Sequence, residues 1–221
     1  MEPNNQIQGM FINLTNRCNL QCKYCYQSSN PSVETSNELN IKEWRLVIVK
    51  LKEIGVKEIN FVGGEPFVFR DFFSLLKYTS QLGFKIRIFT NALLINQSQL
   101  KFIQNNHISL SVNLNSHLAE IHDFYTGVGN WKKVIAKLKQ FQKLGIKFEI
   151  ASPLTKRNYP ELEKFIDFCK KVGAARLRLV PLVLIGRVNG IKNDVLSNKQ
   201  LIDAKEKISR YKDMEVTIGC K

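Results

Sequence analysis

Long apolar runs are missing from this chain of 221 residues: its hydrophobic stretches are short and broken by Lys, Asn or Arg, so nothing is built to cross a bilayer. The opening Met1–Gln8 is polar and has no basic region followed by an apolar one, so no signal peptide is expected. Glycine and proline, at 12 and 6 residues, are ordinary in number, which excludes collagen-like and low-complexity chains. Five cysteines are too few and too unevenly placed for a disulfide scaffold. His107, His117 and His122 lack the spacing of metal ligands and read as structural or exposed. These absences predict a cytoplasmic globular protein with a single core.

Charge is what the chain has in excess. The net charge is +14, and residues 131–180 alone carry +9. Such a block is a solvated helix face or a surface for an acidic partner, whether RNA, peptide or protein.

Two hydrophobic periods alternate. Runs with strand character fall at Met10–Leu14, Glu58–Val62, Lys85–Phe89, Ile108–Val112, Lys147–Ile150 and Arg176–Val180. Helical patterns fill Ile41–Ile54, Phe72–Leu82, Gln97–Asn105, Trp131–Leu144, Tyr159–Val172 and Asn198–Tyr211, with Asn40 and Glu43 as a capping box. Gly55, Gly83, Gly145 and Gly173 each stand between a helix and the next strand, and Asn106 is expected to act likewise before Ile108. Six βα units therefore predict a parallel α/β sheet, open or curled into part of a barrel. One core is expected over residues 1–188, with a helix and strand over 189–221 that could open a truncated or minimal extension.

Ligands of parallel sheets collect at the carboxyl ends of the strands. Those ends carry Asn16-Arg17-Cys18, Gly63-Gly64-Glu65-Pro66, Thr90-Asn91, Ser111 with Asn113, and Pro181 followed by Gly186-Arg187. Cys18, Cys22 and Cys25 thus share a rim with a glycine loop. Three thiolates so close can wrap one side of a metal centre. Zinc would need a distant fourth ligand such as Cys169 or Cys220. A [4Fe–4S] cluster on three thiolates keeps one iron open for a ligand.

This pattern resembles the radical S-adenosylmethionine (SAM) superfamily, and the likeness runs along nearly the whole chain. C-x3-C-x2-C after the first strand, with aromatic Tyr24 before its last cysteine, is similar to that superfamily's signature. Gly63-Gly64-Glu65-Pro66 resembles its loop for the SAM amino group. Thr90-Asn91 is similar to a Thr-Asn-Gly, with Ala92 in place of glycine, and Ser111-Val112-Asn113 to a Ser-Leu-Asp, with Asn113 in place of Asp. His122-Asp123, Gly127, Gly129, Asn158 before Pro160-Glu161-Leu162, Gly186-Arg187 and Leu196-Ser197 resemble the branch of peptide and cofactor maturases. Members of that branch often carry a C-terminal auxiliary-cluster (SPASM/twitch) extension. Cys220 stands where the first cysteine of one would fall, and a single cluster is expected from the cysteines present.

The resemblance implies a partial (β/α)6 TIM-like barrel with the cluster and SAM at its top. Cys18, Cys22 and Cys25 would each ligate one iron. SAM would bind the fourth and be cleaved reductively to a 5′-deoxyadenosyl radical that takes hydrogen from a peptide, protein or cofactor precursor. Glu65 would accept a hydrogen bond from the SAM ammonium. Gly63 and Gly64, with Pro66 behind them, would let the backbone close to the ligand or make a plain turn. Tyr24 would meet adenine, and Ser111 and Asn113 would meet ribose or line the barrel interior. Thr90 and Asn91 would point at the site, and Arg187 would pair with the SAM carboxylate or the substrate, or lie solvated. Cys169 would pack in a helix core. A reductant such as ferredoxin or flavodoxin is the implied partner. An RNA-modifying enzyme, without a recognisable RNA-binding motif, and a non-enzymatic iron–sulfur or zinc protein are the other readings.

Overall fold

Where a helix turns back into a strand, a glycine with positive φ makes the turn at four junctions. Gly145 is one: at φ 65° its N–H caps the carbonyls of Phe141 and Gln142, and the next strand begins three residues later. Gly55, Gly83 and Gly173 repeat the device. Before the fourth strand the left-handed residue is His107, at φ 52°, and not Asn106, whose φ is −104°.

A computed structural model describes residues 7–188 and 190–219. The strands are β1 (Gly9–Asn13), β2 (Glu58–Val62), β3 (Lys85–Thr90), β4 (Ser109–Asn113), β5 (Phe148–Leu154), β6 (Arg176–Pro181) and β7 (Glu215–Ile218). The helices are α1 (Ile41–Glu53), α2 (Phe72–Gln81), α3 (Gln97–Asn105), α4 (Ala119–Thr126), α5 (Asn130–Leu144), α6 (Leu162–Lys171) and α7 (Asn198–Ser209). All neighbouring strands pair in parallel in the order β1-β2-β3-β4-β5-β6-β7, and the sheet does not close. This is the expected partial barrel with one strand more than the six βα units supply. The capping box at α1 forms as expected, with Asn40 Oδ1 accepting from the Glu43 N–H and Glu43 reaching back to the Asn40 N–H.

Alternation along the strands decides what each face does. Ile59, Phe61, Ile88, Leu110, Val112, Ile150 and Leu177 face the helices and are fully or almost fully buried against Ile48, Leu75, Leu100, Leu138 and Phe165. Phe61 and Phe72 meet edge to face at 5.3 Å. Cys169 lies in this core at 0% exposure, as expected. Phe11, Phe89, Ser111, Ala151 and Arg178 occupy the alternate positions that line the concave face. The strands' carboxyl ends form one rim above that face. No helix among the described residues is long and apolar enough to cross a membrane.

Candidate active site at the barrel rim

Two backbone segments meet on the rim at a distance only glycine tolerates. Gly63 and Gly64 leave β2 and run against the chain leaving β1. A Cβ on Gly64 would stand 2.2 Å from the Arg17 carbonyl oxygen, and one on Gly63 would stand 2.6 Å from that of Thr15. The Gly64 and Glu65 N–H groups donate to the Thr15 and Arg17 carbonyls at 2.7 and 3.0 Å. The glycines are therefore required first by this stitching, which fixes where the cysteine loop begins.

The loop from Cys18 to Ser29 is held from three sides. The Cys18 N–H donates to Asn30, and the Lys23 N–H donates at 2.9 Å to Tyr125, which belongs to α4. From the other side of the barrel comes Arg187, whose N–H donates to the Cys25 carbonyl at 2.9 Å. Its guanidinium donates to the carbonyls of Cys22 at 3.1 Å, Ser28 at 2.6 Å and Ser29 at 2.7 Å. Gly186 makes this approach possible: a Cβ there would lie 2.3 Å from the Tyr26 carbonyl oxygen.

The loop closes over a cavity of about 240 Å³. Cys18, Cys22, Tyr24 and Cys25 line one wall. Gly63, Gly64, Thr90, Asn91, Ser111 and Asn113 line the cavity as well. Leu20, Tyr26, Gln27, Ser29, Phe89 and Ala151 complete it and were not marked by the motifs. Burial pushes the Cys18 thiol up to about 11 and the Cys22 thiol up to about 12, the latter helped by the neighbouring charges of Cys18 and Cys25 and opposed by Arg187. Without a metal, Cys18 and Cys22 are thus protonated at neutral pH, and a bound metal must displace their protons.

Three of the expected ligand-facing residues are not on the cavity wall. Glu65 is 0% exposed. Its Oε1 accepts from the Thr90 hydroxyl at 2.8 Å and the Phe67 N–H at 3.3 Å, and its Oε2 accepts from the Asn91 N–H at 2.8 Å. Pro66 follows it into a buried 3-10 turn, Pro66–Val68. Glu65 here orients Thr90 and Asn91, and Asn91 passes the alignment on by donating to Asn19 at 2.8 Å within the cysteine loop. Arg187 likewise does not face a carboxylate, because the three carbonyls of the loop take its guanidinium. Ala92 adopts φ 65°, which explains the glycine usual at this point of the resembling pattern.

A polar network missed in the sequence lies behind Tyr24. Tyr24 Oη is 2.8 Å from Asn113 Oδ1 and 3.1 Å from Asn115 Oδ1. A phenol has one proton, and Asn115 Nδ2 is otherwise buried without a partner. Turning that carboxamide over lets it donate to Tyr24 while Tyr24 donates to Asn113. His122 Nδ1 accepts from the Asn115 N–H, and burial lowers this imidazole to about 4, so it is neutral and structural. Asn115 follows Asn113 by two residues, and strand alternation was the signal that would have found it.

The donor set fits an iron–sulfur cluster. Cys18, Cys22 and Cys25 line one cavity, and a cubane takes each thiolate on a separate iron, so it suits three cysteines that share a wall. Cys220 lies outside the described residues.

The sequence profile described as "Radical SAM superfamily" matches residues 12–169. The chain belongs to the radical SAM superfamily. Membership implies a [4Fe–4S] cluster and SAM as cofactors. The chain is 30% identical over 186 residues to the AdoMet-dependent heme synthase of Methanosarcina barkeri (strain Fusaro / DSM 804), covering 83% of this chain and 52% of that protein. It is 26% identical to the sporulation killing factor maturation protein SkfB of Bacillus subtilis (strain 168), covering 91% of this chain and 49% of SkfB. Among solved structures, Streptococcus suis SuiB bound to its precursor peptide SuiA superimposes with a TM-score of 0.84 at 22% identity, over 97% of this chain and 49% of SuiB. That likeness is one of fold. The chain spans about half the length of the curated relatives it matches.

Proposed function

We propose that this chain is the core of a radical SAM enzyme that modifies a peptide or a cofactor precursor, with peptide the favoured class. The observation that carries the reading is the shared cavity: three thiols and the glycine loop line it together at the carboxyl ends of parallel strands. Names among the relatives, including SkfB and a PqqA peptide cyclase, support the substrate class.

When bound, the cluster and SAM supply one-electron cleavage of SAM and hydrogen abstraction from the substrate. The protein's own residues hold and shield that chemistry. Cys18, Cys22 and Cys25 bind as thiolates, and the Arg187 guanidinium helps Cys22 lose its proton. Gly63 and Gly64 present backbone to the SAM amino acid moiety. Thr90 and Asn91, aligned by Glu65, form the wall beside it. Ser111 offers a hydroxyl and Asn113 an amide to the ribose, and Tyr24 holds Asn113 in place while its ring faces the cavity. Leu20, Phe89 and Ala151 exclude water. A ferredoxin or flavodoxin is the proposed reductant, and a cytoplasmic setting keeps the thiols reduced.

Reductive SAM cleavage tests the reading. Anaerobically reconstituted protein, reduced in the presence of SAM, is expected to release 5′-deoxyadenosine slowly without substrate, and Cys22→Ala is expected to release none. Wild-type protein that holds a cluster and makes no 5′-deoxyadenosine would refute it.

A further inference from the structure

Beneath the cavity, the concave face of the sheet carries a cation whose hydrogen-bonding capacity the fold leaves largely unfilled. Phe89 pairs with Ser111 across β3 and β4, and Ala151 pairs with Arg178 across β5 and β6. Phe89, Ser111 and Ala151 line the cavity. Arg178 reaches under them: its Nη2 is 3.4 Å from Ser111 Oγ, and its guanidinium carbon is 5.1 Å from the centre of the Phe89 ring. Phe11 extends this wall at 5.7 Å from Phe89, and it is 62% exposed although it points into the barrel.

Arg178 and Glu149 form an ion pair, Nε to Oε1 at 3.6 Å, that is too long for a hydrogen bond, and neither of these buried atoms has another hydrogen-bond partner. The other oxygen of Glu149 is taken by Arg176, through Nε at 2.9 Å and through Nη2. A guanidinium offers five N–H donors, and Arg178 places one on a long contact to a serine. Such a fork, set against aromatic faces, matches a carboxylate on an apolar stem.

We infer that Arg178 anchors a substrate carboxylate: the peptide residue that enters the barrel is acidic, with its stem against Phe11 and Phe89 and its carboxylate on the Arg178 fork. This rests on the peptide-modifying reading above. It sets Arg178 apart from Lys132, Lys133, Lys139 and Lys143, which share its basic block but lie exposed along α5 on the outside of the barrel.

Fluorescence anisotropy tests the inference with two dye-labelled pentapeptides, identical except for a central glutamate or glutamine between phenylalanines. Reconstituted protein with SAM is expected to bind the glutamate peptide about tenfold more tightly, the size of one charge-assisted hydrogen-bonded contact. Arg178→Gln is expected to abolish the preference, and Arg178→Lys, which keeps the charge and loses the fork, to keep part of it. Wild-type protein that holds its cluster and cleaves SAM, yet binds the two peptides equally or binds neither, overturns the inference and leaves the radical SAM reading standing. A preference that survives Arg178→Gln overturns it too. Wild-type protein that forms no cluster overturns both.

Discussion

Arg187 and Cys22 are 165 residues apart in the chain, and Arg187 Nη1 donates to the Cys22 carbonyl at 3.1 Å. With the bonds to Ser28 and Ser29, one side chain beyond β6 closes the cysteine loop. Hydrogen bonds from a charged donor contribute about 1.5–3 kcal/mol each, and they are not additive on one side chain. Arg187→Gln is expected to cost about 2–4 kcal/mol in urea denaturation and to lower the iron retained through gel filtration. Arg187→Lys is expected to behave nearly as badly, because a point charge cannot serve three carbonyls at fixed angles. A lysine variant indistinguishable from wild type would reduce Arg187 to a counter-charge.

Gly64 and Gly55 separate close approach from backbone conformation. Gly64→Ala forces a methyl to within 2.2 Å of the Arg17 carbonyl oxygen, and a loss of about 3 kcal/mol or more is expected. Gly55→Ala has nothing within 4 Å but sits at φ 86°, so the expected loss is about 1–2 kcal/mol. Urea denaturation of both variants checks the order. Equal losses would remove the stitching argument for the glycine loop.

Much of this was legible in the sequence, and the gaps have physical causes. Gly55, Gly83, Gly145 and Gly173 marked the βα frame because only a residue at ease with positive φ ends a helix so abruptly. At the fourth junction His107 took the left-handed position instead of Asn106, a choice between neighbours that composition does not make. Helix α4 went unread because its N-cap, Leu118, makes no side-chain capping bond. Its Tyr125 is nevertheless buried, with its hydroxyl on Asp194 at 2.7 Å. Ten of the thirteen marked residues line the cavity. Glu65 and Arg187 were recognisable as residues and not as directions, since their partners are set by long-range packing: Thr90 and Asn91 for one, the carbonyls of the cysteine loop for the other.

Glu65 makes the stability of the metal-free protein depend on pH. Burial raises its carboxyl to about 7 from an ordinary 4.5, against three hydrogen bonds that pull it down. The folded state therefore holds this proton more tightly than the unfolded one. Its contribution is complete below pH 4.5 and is lost as pH rises to about 7. Glu65→Gln cannot titrate, so wild type is expected to lose stability relative to the variant across that window and to run parallel above it. Urea midpoints of both proteins as a function of pH check this. A constant difference would mean that the carboxyl ionises in its ordinary range.

If Cys18, Cys22 and Cys25 leave one iron of a cluster open to SAM, SAM binding must alter the electronic signature of that cluster. Electron paramagnetic resonance of the anaerobically reduced protein, recorded before and after SAM is added, tests it most directly. The expected result is the signal of a reduced [4Fe–4S] cluster whose line shape changes on adding SAM, with no such signal from Cys22→Ala. A cluster signal that SAM leaves unchanged, or protein that carries zinc and no sulfide, would contradict it.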